Sequence, residues 1–272
     1  MKTIILSVVF MFIFIFSAFC GGNMELVNSK EIDLNNINDV KIVSSSDKIS
    51  FFMGTSDKLV IKEYMNEDNI RYYANISAFA NTVTVESGRR PFRPFFPTFM
   101  RRLEVHFPVS YNNAINIKTS SGIIETSDLI CSNITIESSS GNISIKSITA
   151  DTINIKTTSG NIVLNMIAGS VNLKTSSGNV NCAVGEKAGN ISIETTSGPV
   201  RLNLPPNYQF HFSVRSTSGR LTAPFSDRLS NPVTDRNLTQ GIISNNSSEN
   251  IPAINIITSS GPIRIEWLTS RD

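Results

Sequence analysis

Seven times along the chain, alternating apolar and polar positions lead into a run of serine or threonine that ends in a Ser-Gly pair. Each repeat carries an apolar side chain seven and five residues before the glycine, and another two residues after it. Alternation with period two predicts a strand that buries one face. The glycines, spaced 19, 19, 18, 20, 21 and 42 residues apart, are Gly122, Gly141, Gly160, Gly178, Gly198, Gly219 and Gly261.

A fixed period near 20 residues with this composition predicts an all-β fold, a parallel β-solenoid with about 18–21 residues per coil. Equivalent side chains of successive coils would lie one strand spacing apart, about 4.8 Å. We expect the repeat to fill residues 111–272, with each Ser-Gly run turning the same corner of its coil. Glycine is expected there because a sharp corner needs backbone freedom, including positive φ. The rows of hydroxyls leave a second interpretation open, a surface that binds sugars or ice.

Outward positions between the apolar ones predict polar ladders on the outside of the stack. Four residues before each glycine the signs of charge mostly alternate, so we expect ion pairs between neighbouring coils, each contributing about 0.2–1 kcal/mol. These positions are Lys118, Glu137, Lys156, Lys174, Glu194, Arg215 and Ile257.

The remaining segments predict the two ends of the solenoid. Residues 21–110 are β-rich but lack the Ser-Gly repeat, which indicates N-terminal coils or a cap over the end strand. A stretch rich in Asn, Ser and Asp at about 224–250 predicts a long loop. The last interval between the glycines, 42 residues, is twice the one before it. It also indicates one coil of the usual length that has lost its Ser-Gly pair. Trp267 and Leu268 are expected to close the last coil as a second cap.

Residues 1–20 have the pattern of a signal peptide. A lysine precedes an apolar run from residue 4 to residue 16, and two small residues then lead to Cys20. This order predicts export, and the run is short for a membrane span. The segment resembles a bacterial lipoprotein signal, in which Cys20 would be acylated and would anchor the mature protein. Simple secretion, with cleavage before Gly21, is the alternative.

A basic and aromatic segment with three prolines, residues 89–102, interrupts the strand pattern and predicts a loop. Such a composition can rest on an anionic membrane or a glycan. The other interpretation is a surface loop folded over an edge of the stack. Candidate contact residues are Arg89, Arg90, Phe92, Arg93, Phe95, Phe96, Arg101 and Arg102.

Catalytic and metal-binding motifs are not found in the sequence. There is no nucleophile elbow, zinc-protease motif, phosphate-binding loop or dinucleotide fingerprint. Glu137 and Glu194, the acids within the repeats, fit surface ion pairs better than an acid/base couple. We therefore expect a non-enzyme without catalytic residues, cofactor or metal. The net charge of +2 gives no electrostatic case for nucleic acid as a partner.

The two cysteines beyond the signal are not expected to form a disulfide. About three coils, hence roughly 14 Å, would separate Cys131 from Cys182. A disulfide needs Cα atoms within about 7 Å of each other.

The segment LEVHFPVSYNNAINIKTSSG, residues 103–122, and the repeated NIxIxTxSG blocks resemble the bacterial putative-adhesin family, a domain of unknown function. The resemblance runs from about residue 35 to the end of the chain. It implies a signal or anchor, a β-rich lead-in and Ser-Gly coils. The family has no established catalytic residues, so the resemblance implies none here.

Together these features predict an exported cell-envelope protein that presents a rigid, adhesin-like surface to an extracellular protein or glycan. An envelope-stress sensor that binds a membrane protein or cationic peptide is the alternative. A polysaccharide-processing β-helix enzyme is a third class.

Overall fold

The protein is described by a computed structural model that covers residues 24–92, 98–225, 229–235, 237–244 and 251–268. Strands make up nearly all of its regular structure, with one short 3-10 turn at Ile70–Tyr72. In the first half of the chain the strands are β1 Glu25–Ile32, β2 Asp39–Ser44, β3 Lys48–Gly54, β4 Leu59–Met65, β5 Asn75–Phe79, β6 Thr82–Glu86, β7 Arg101–Pro108, β8 Ala114–Thr119, β9 Ile124–Ile130 and β10 Asn133–Ser138. In the second half they are β11 Ile143–Thr157, β12 Ile162–Thr175, β13 Val180–Thr195, β14 Val200–Leu204, β15 Phe210–Ser216, β16 Leu221–Thr222, β17 Ser230–Asp235, β18 Leu238–Ile243, β19 Ala253–Thr258 and β20 Ile263–Trp267.

Each coil contributes one strand before its Ser-Gly corner and one after it, and the strands stack in two parallel columns. The column before the corner, here the leading column, runs β6, β2, β8, β10, β11, β12, β13, β19, β15. The column after the corner, the trailing column, runs β7, β3, β9, β11, β12, β13, β14, β20, β16. The long strands β11, β12 and β13 pass from the trailing column of one coil into the leading column of the next. The predicted parallel β-solenoid is confirmed.

Aliphatic ladders fill the space between the two columns. In the leading column, residues seven positions before the glycines pair with one another in register and are at most 3% exposed. They are Ile115, Ile134, Ile153, Val171, Ile191, Ile254 and Phe212. Branched side chains suit this packing because they cover the pleated surface of a strand.

The coils do not stack in chain order at the C-terminal end. The last coil, β19 and β20, lies between the coil that ends in β13 and β14 and the coil formed by β15 and β16. The doubled interval therefore contains no further coil, and that prediction was wrong. Instead, the segment predicted as a long loop contains β17 and β18, which form an antiparallel pair.

An inserted last coil also changes the predicted C-terminal cap. Trp267 belongs to β20, inside the stack, where its ring packs 5.6 Å from that of Phe225. Strand β18 pairs antiparallel with the outer edge of β15, and β17 follows it. The antiparallel pair, rather than Trp267 and Leu268, covers the end of the leading column.

The N-terminal end repeats this arrangement in reverse. The first coil, β2 and β3, lies between the coil of β6 and β7 and the coil of β8 and β9. Antiparallel strands again close the end: β5 covers β6, and β4 covers β7 with β1 beyond it. Both the first and the last coil of the chain are thus enclosed by other coils. Among the described residues, no helix is long and apolar enough to cross a membrane.

Candidate functional site

The seven repeat glycines form a single column along one edge of the stack, as the sequence predicted. An ideal Cβ added to Gly141 would overlap the carbonyl oxygen of Gly122, and one added to Gly160 would overlap that of Gly141. The same contact continues through Gly178, Gly198, Gly261 and Gly219. We call this set, with Gly122, the glycine column.

Close backbone approach, not positive φ, explains why these corners require glycine. Among the described glycines, only Gly169 has a positive φ, at 120°, and it lies outside the Ser-Gly pairs. The expected conformational reason was therefore wrong. The corners leave no room for a side chain because each is pressed against the carbonyl of the next coil.

Hydroxyl groups complete each corner. In six corners the first Ser or Thr of the run accepts a hydrogen bond from the glycine N–H at 2.9–3.1 Å. The serine before the glycine donates to a backbone carbonyl of the neighbouring coil at 3.2–3.5 Å. These hydroxyls therefore hold the corner together, as the corner interpretation expects.

Asp47 takes the position of the glycine in the first coil. Its carbonyl oxygen meets the site of a Cβ on Gly122, so it continues the glycine column. The carboxylate is 1% exposed, and it accepts hydrogen bonds from Arg101 at 2.9 Å, Ser44 at 2.7 Å and Arg90 at 2.5 Å. Burial alone would raise the pKa of Asp47, but the hydrogen bond and charge of Arg101, with help from Ser44 and Ser87, hold it below its usual value.

The residues around Asp47 have the spacing of the repeat, although this coil has no Ser-Gly pair. Val40 and Ile42 stand seven and five residues before Asp47, Ser44 three before it, and Ile49 two after it. This is the spacing of the repeat with aspartate in place of glycine.

Arg101 is not a surface contact residue, which corrects that prediction. It is 4% exposed, and its guanidinium also donates to the carbonyls of Tyr72 at 2.7 Å and Gly88 at 3.0 Å. Arg102 is also engaged, because its guanidinium lies 4.2 Å from the ring centre of Tyr64 and 3.1 Å from Glu104.

The rest of the basic and aromatic segment divides into a buried and an exposed part. Arg90 lies over the ring of Phe99 and donates to its carbonyl at 2.9 Å, and Phe99 is buried. Arg89 and Phe92 are exposed, Phe92 by 92%. Arg93, Phe95, Phe96 and the predicted lipid attachment residue Cys20 lie outside the described residues.

The outward charges of the leading column form part of the predicted ladder. Lys118 and Glu137 are 3.3 Å apart, and Lys174 and Glu194 are 2.8 Å apart. Because the last coil is inserted, Glu194 is followed by the half-exposed Ile257 and not by Arg215. Each pair is exposed, so each contributes at most about 1 kcal/mol.

The described residues contain no group of three or more metal-ligating side chains. His106 stacks on Phe52 and contacts Glu104 at 3.4 Å, while His211 lies exposed on β15. Cys131 and Cys182 are free and buried, and burial raises the pKa of each thiol to about 12.

Glu63 is a buried acid in the N-terminal cap. Burial raises the pKa of its carboxyl, which accepts hydrogen bonds from Asn28 at 2.7 Å and from the Ala74 N–H at 2.8 Å. These bonds tie β1 and the segment before β5 to β4. The arrangement is that of a structural carboxyl.

A recess of about 510 Å³ lies beside β13 near the C-terminal end, between Glu186, Asn207 and Pro252. The Tyr208 hydroxyl at its wall already donates to the carbonyls of Ala188 and Gly189, at 2.9 and 3.1 Å. Burial raises the pKa of Tyr208 to about 12. The Tyr208 hydroxyl is therefore engaged with the backbone. The extended polar faces of the stack are the candidate binding surface.

The chain matches one protein-family model and is similar to several solved structures. No curated protein matches the chain in sequence. Similar solved structures include a putative cell adhesion protein from Clostridium sporogenes, 13% identical, covering 89% of this chain and 98% of that chain with a TM-score of 0.42. Putative adhesins from Bacteroides fragilis and Parabacteroides distasonis are 13% and 14% identical, each covering 89% of this chain and 96% of its own, with TM-scores of 0.48 and 0.43. The model of the Toastrack DUF4097 family matches residues 30–266, and the chain belongs to that family.

Proposed function

We propose that this protein is a non-enzymatic, exported component of the bacterial cell envelope that presents its solenoid as a rigid, adhesin-like binding surface. The observation that supports this most strongly is the glycine column, which presses successive coils together along one edge. A surface that is already ordered loses little conformational entropy when it binds. The partner would be an extracellular protein or glycan.

The outer face of the leading column is the part of this surface that we assign to the partner. A small polar side chain lies two residues before each position of this outward ladder, six of whose seven members are charged, and these side chains form a second ladder. Its members are Asn116, Thr135, Asn154, Asn172, Ser192, Asn255 and Ser213. Amides and hydroxyls at a repeat of about 4.8 Å suit an extended polar chain that runs along the stack.

Export and anchoring rest on the sequence of residues 1–20. The small residues before Cys20 support acylation at this cysteine, which would hold the protein at the membrane. Radiolabelled palmitate tests the anchor directly: incorporation in the wild type that is lost in Cys20→Ala supports it. If neither protein incorporates palmitate, the protein is a free secreted one.

Attachment assays test the binding role. A deletion strain should attach less to matrix or to neighbouring cells, and the wild-type gene should restore attachment. Asn154→Trp places a bulky group on the outer leading face, whereas Ser144→Trp, on the same strand β11, places it on the trailing face as a matched control. We expect Asn154→Trp to fail in complementation and Ser144→Trp to succeed. Normal attachment with altered stress-gene expression in the deletion strain would replace this proposal with a sensor role.

A further inference from the structure

We propose that the N-terminal end of the solenoid rests on the lipid bilayer and inserts four apolar side chains, Leu26, Ile70, Phe92 and Met100, into the lipid interface. This inference rests on the lipid anchor proposed above. It adds the orientation of the protein, with the stack standing on the membrane and the C-terminal end pointing away.

The point where the chain enters the fold is the first support. Glu25, at the start of β1, pairs with Met65, and the carbonyl of Val27 accepts a hydrogen bond from the Tyr73 hydroxyl at 3.0 Å. Strand β1 is the outermost strand at this end of the trailing column. Glu25 is only five positions after Cys20 in the chain, a reach of at most about 18 Å. An acylated Cys20 would therefore hold this end, and no other, close to the lipid headgroups.

Exposed apolar side chains at the same end are the second support. Leu26 is 52% exposed, Ile70 79%, Phe92 92% and Met100 36%. Leu26 pairs in register with Tyr64, next to Met65, and Met65 pairs with Arg101, the residue after Met100. Leu26 and Met100 thus lie near each other, and Ile70 and Phe92 belong to the segments of Tyr72 and Arg90, which both contact Phe99, the residue before Met100. Large exposed apolar groups that share a corner indicate a surface for a partner or a membrane.

This corner is built on fixed backbone. Asn66 donates its N–H to the Met100 carbonyl at 3.3 Å, accepts the Met100 N–H at 2.9 Å, and donates its side-chain amide to the Thr98 carbonyl at 2.8 Å. The buried ring of Phe99 packs edge-on against Tyr72 at 5.1 Å and lies under Arg90. Tyr72, two residues after Ile70, and Arg90, two residues before Phe92, both contact the Phe99 ring. The segments that carry Ile70 and Phe92 are therefore held by the same ring.

Arginines at this corner can contact anionic lipid, and the acids Glu25, Glu67 and Asp68 lie in the same segments. Arg71 and Arg89 are exposed beside Ile70 and Phe92 in the chain, where they can meet headgroup phosphates. Asp68, which precedes the 3-10 turn, accepts a hydrogen bond from the Tyr73 hydroxyl. The far end differs, because every residue of the outermost strand β17 is exposed and most are polar.

Tryptophan quenching by brominated lipids tests the orientation in the full-length, acylated protein. Trp267 is the single native tryptophan and lies at the C-terminal end, so Trp267→Phe gives a silent background. In this background we introduce Ile70→Trp or Phe92→Trp at the cap, and Val233→Trp, also exposed, at the far end as the matched control. Each protein is reconstituted into phosphatidylethanolamine and phosphatidylglycerol vesicles, with or without bromine at the 6,7 positions of the acyl chain.

We expect the emission of Ile70→Trp and Phe92→Trp to shift to the blue and to be quenched in brominated vesicles, with Val233→Trp and native Trp267 unchanged. Since Ile70 and Phe92 are exposed, both variants should unfold at the same temperature as their Trp267→Phe parent, which circular dichroism checks. Protein that floats with the vesicles but shows no quenching at positions 70 and 92 would overturn the orientation and leave the anchor intact. Protein that does not float would overturn the anchor and this inference together. Cross-linking of two copies through position 70, without quenching, would make the corner a self-association surface and overturn the proposal.

Discussion

Asp47 and Arg101 form a buried ion pair, with the Arg101 Nη2 atom 2.9 Å from the Asp47 Oδ2 atom, where the glycine column ends. Both side chains are at most 1% exposed. In every coil beyond this one the corresponding position has no space for a side chain. Here the carboxylate fills the corner and joins the first coil to Arg90 and to Arg101 at the start of β7.

Asp47→Gly should destabilise the protein even though it makes the first coil a perfect copy of the repeat. The substitution removes the partner of a buried Arg101, which costs about 3–5 kcal/mol. Urea unfolding of wild type and variant measures the difference. Glu194→Gln, which breaks the exposed pair with Lys174, is the control and should cost less than about 1 kcal/mol. A stabilised Asp47→Gly would mean that the repeat consensus, and not the ion pair, governs this corner.

Gly160→Ala should destabilise the stack by about 3 kcal/mol or more, because its Cβ would overlap the Gly141 carbonyl and push two coils apart. Gly185→Ala is the matched control: its Cβ would lie 3.2 Å from the Ile167 carbonyl oxygen, which needs only a small shift. Thermal unfolding of the two variants compares them. Equal melting temperatures would show that the coils are not packed closely at the glycine column.

The ion pair at Asp47 should contribute to stability at neutral pH and lose its effect in acid. The pKa of Asp47 is below its usual value in the folded protein, whereas in the unfolded chain it is about 3.9. The stabilisation is therefore fully present above the pKa that Asp47 has in the unfolded chain. It is lost as the pH falls through the lower pKa that Asp47 has in the folded protein. The difference in unfolding free energy between wild type and Asp47→Asn should narrow steadily below about pH 4. A constant difference between pH 7 and pH 3 would contradict the assignment.

Amide hydrogens of β19 should exchange as slowly as those of β11 in the middle of the stack. Strand β19 lies close to the C-terminus of the chain, where fraying is common. It is nevertheless paired on both sides, with β13 and with β15, and Ile254 and Ile256 are fully buried. Hydrogen exchange followed by mass spectrometry measures the protection, and β17 at the exposed edge is the internal comparison. Exchange of β19 at the rate of β17 would mean that the last coil is not enclosed.

The sequence was sufficient to predict the coil but not the order of the coils. Alternation of apolar residues around Gly141 or Gly160 is local, so it marks each strand and each corner. The order depends on which faces meet, and the faces of β15 and β19 are nearly equivalent: Phe212 and Val214 in one, Ile254 and Ile256 in the other. Either could pack on β13, so the pattern alone does not distinguish the two arrangements.

The corner residues illustrate the same limit at the level of one site. Asp47 stands in phase with the repeat and could have been found from its spacing. Arg101 could not, because it stands 54 residues after Asp47 in the chain and reaches it only through the folding of β7 onto β3. The composition of residues 89–102 predicted an exposed Arg101. The composition of a basic, aromatic segment does not, however, indicate which of its arginines will be buried.

Enclosure of the first and last coils limits how this architecture can change in length. A copy of the repeat added after β20 or before β2 would find no free rung to occupy, since each of these coils already has a neighbour above and below. Lengthening by gene duplication would have to occur between Gly122 and Gly198, where chain order and spatial order agree. Longer relatives should therefore carry their additional units in the middle of the sequence and keep both extremities nearly constant.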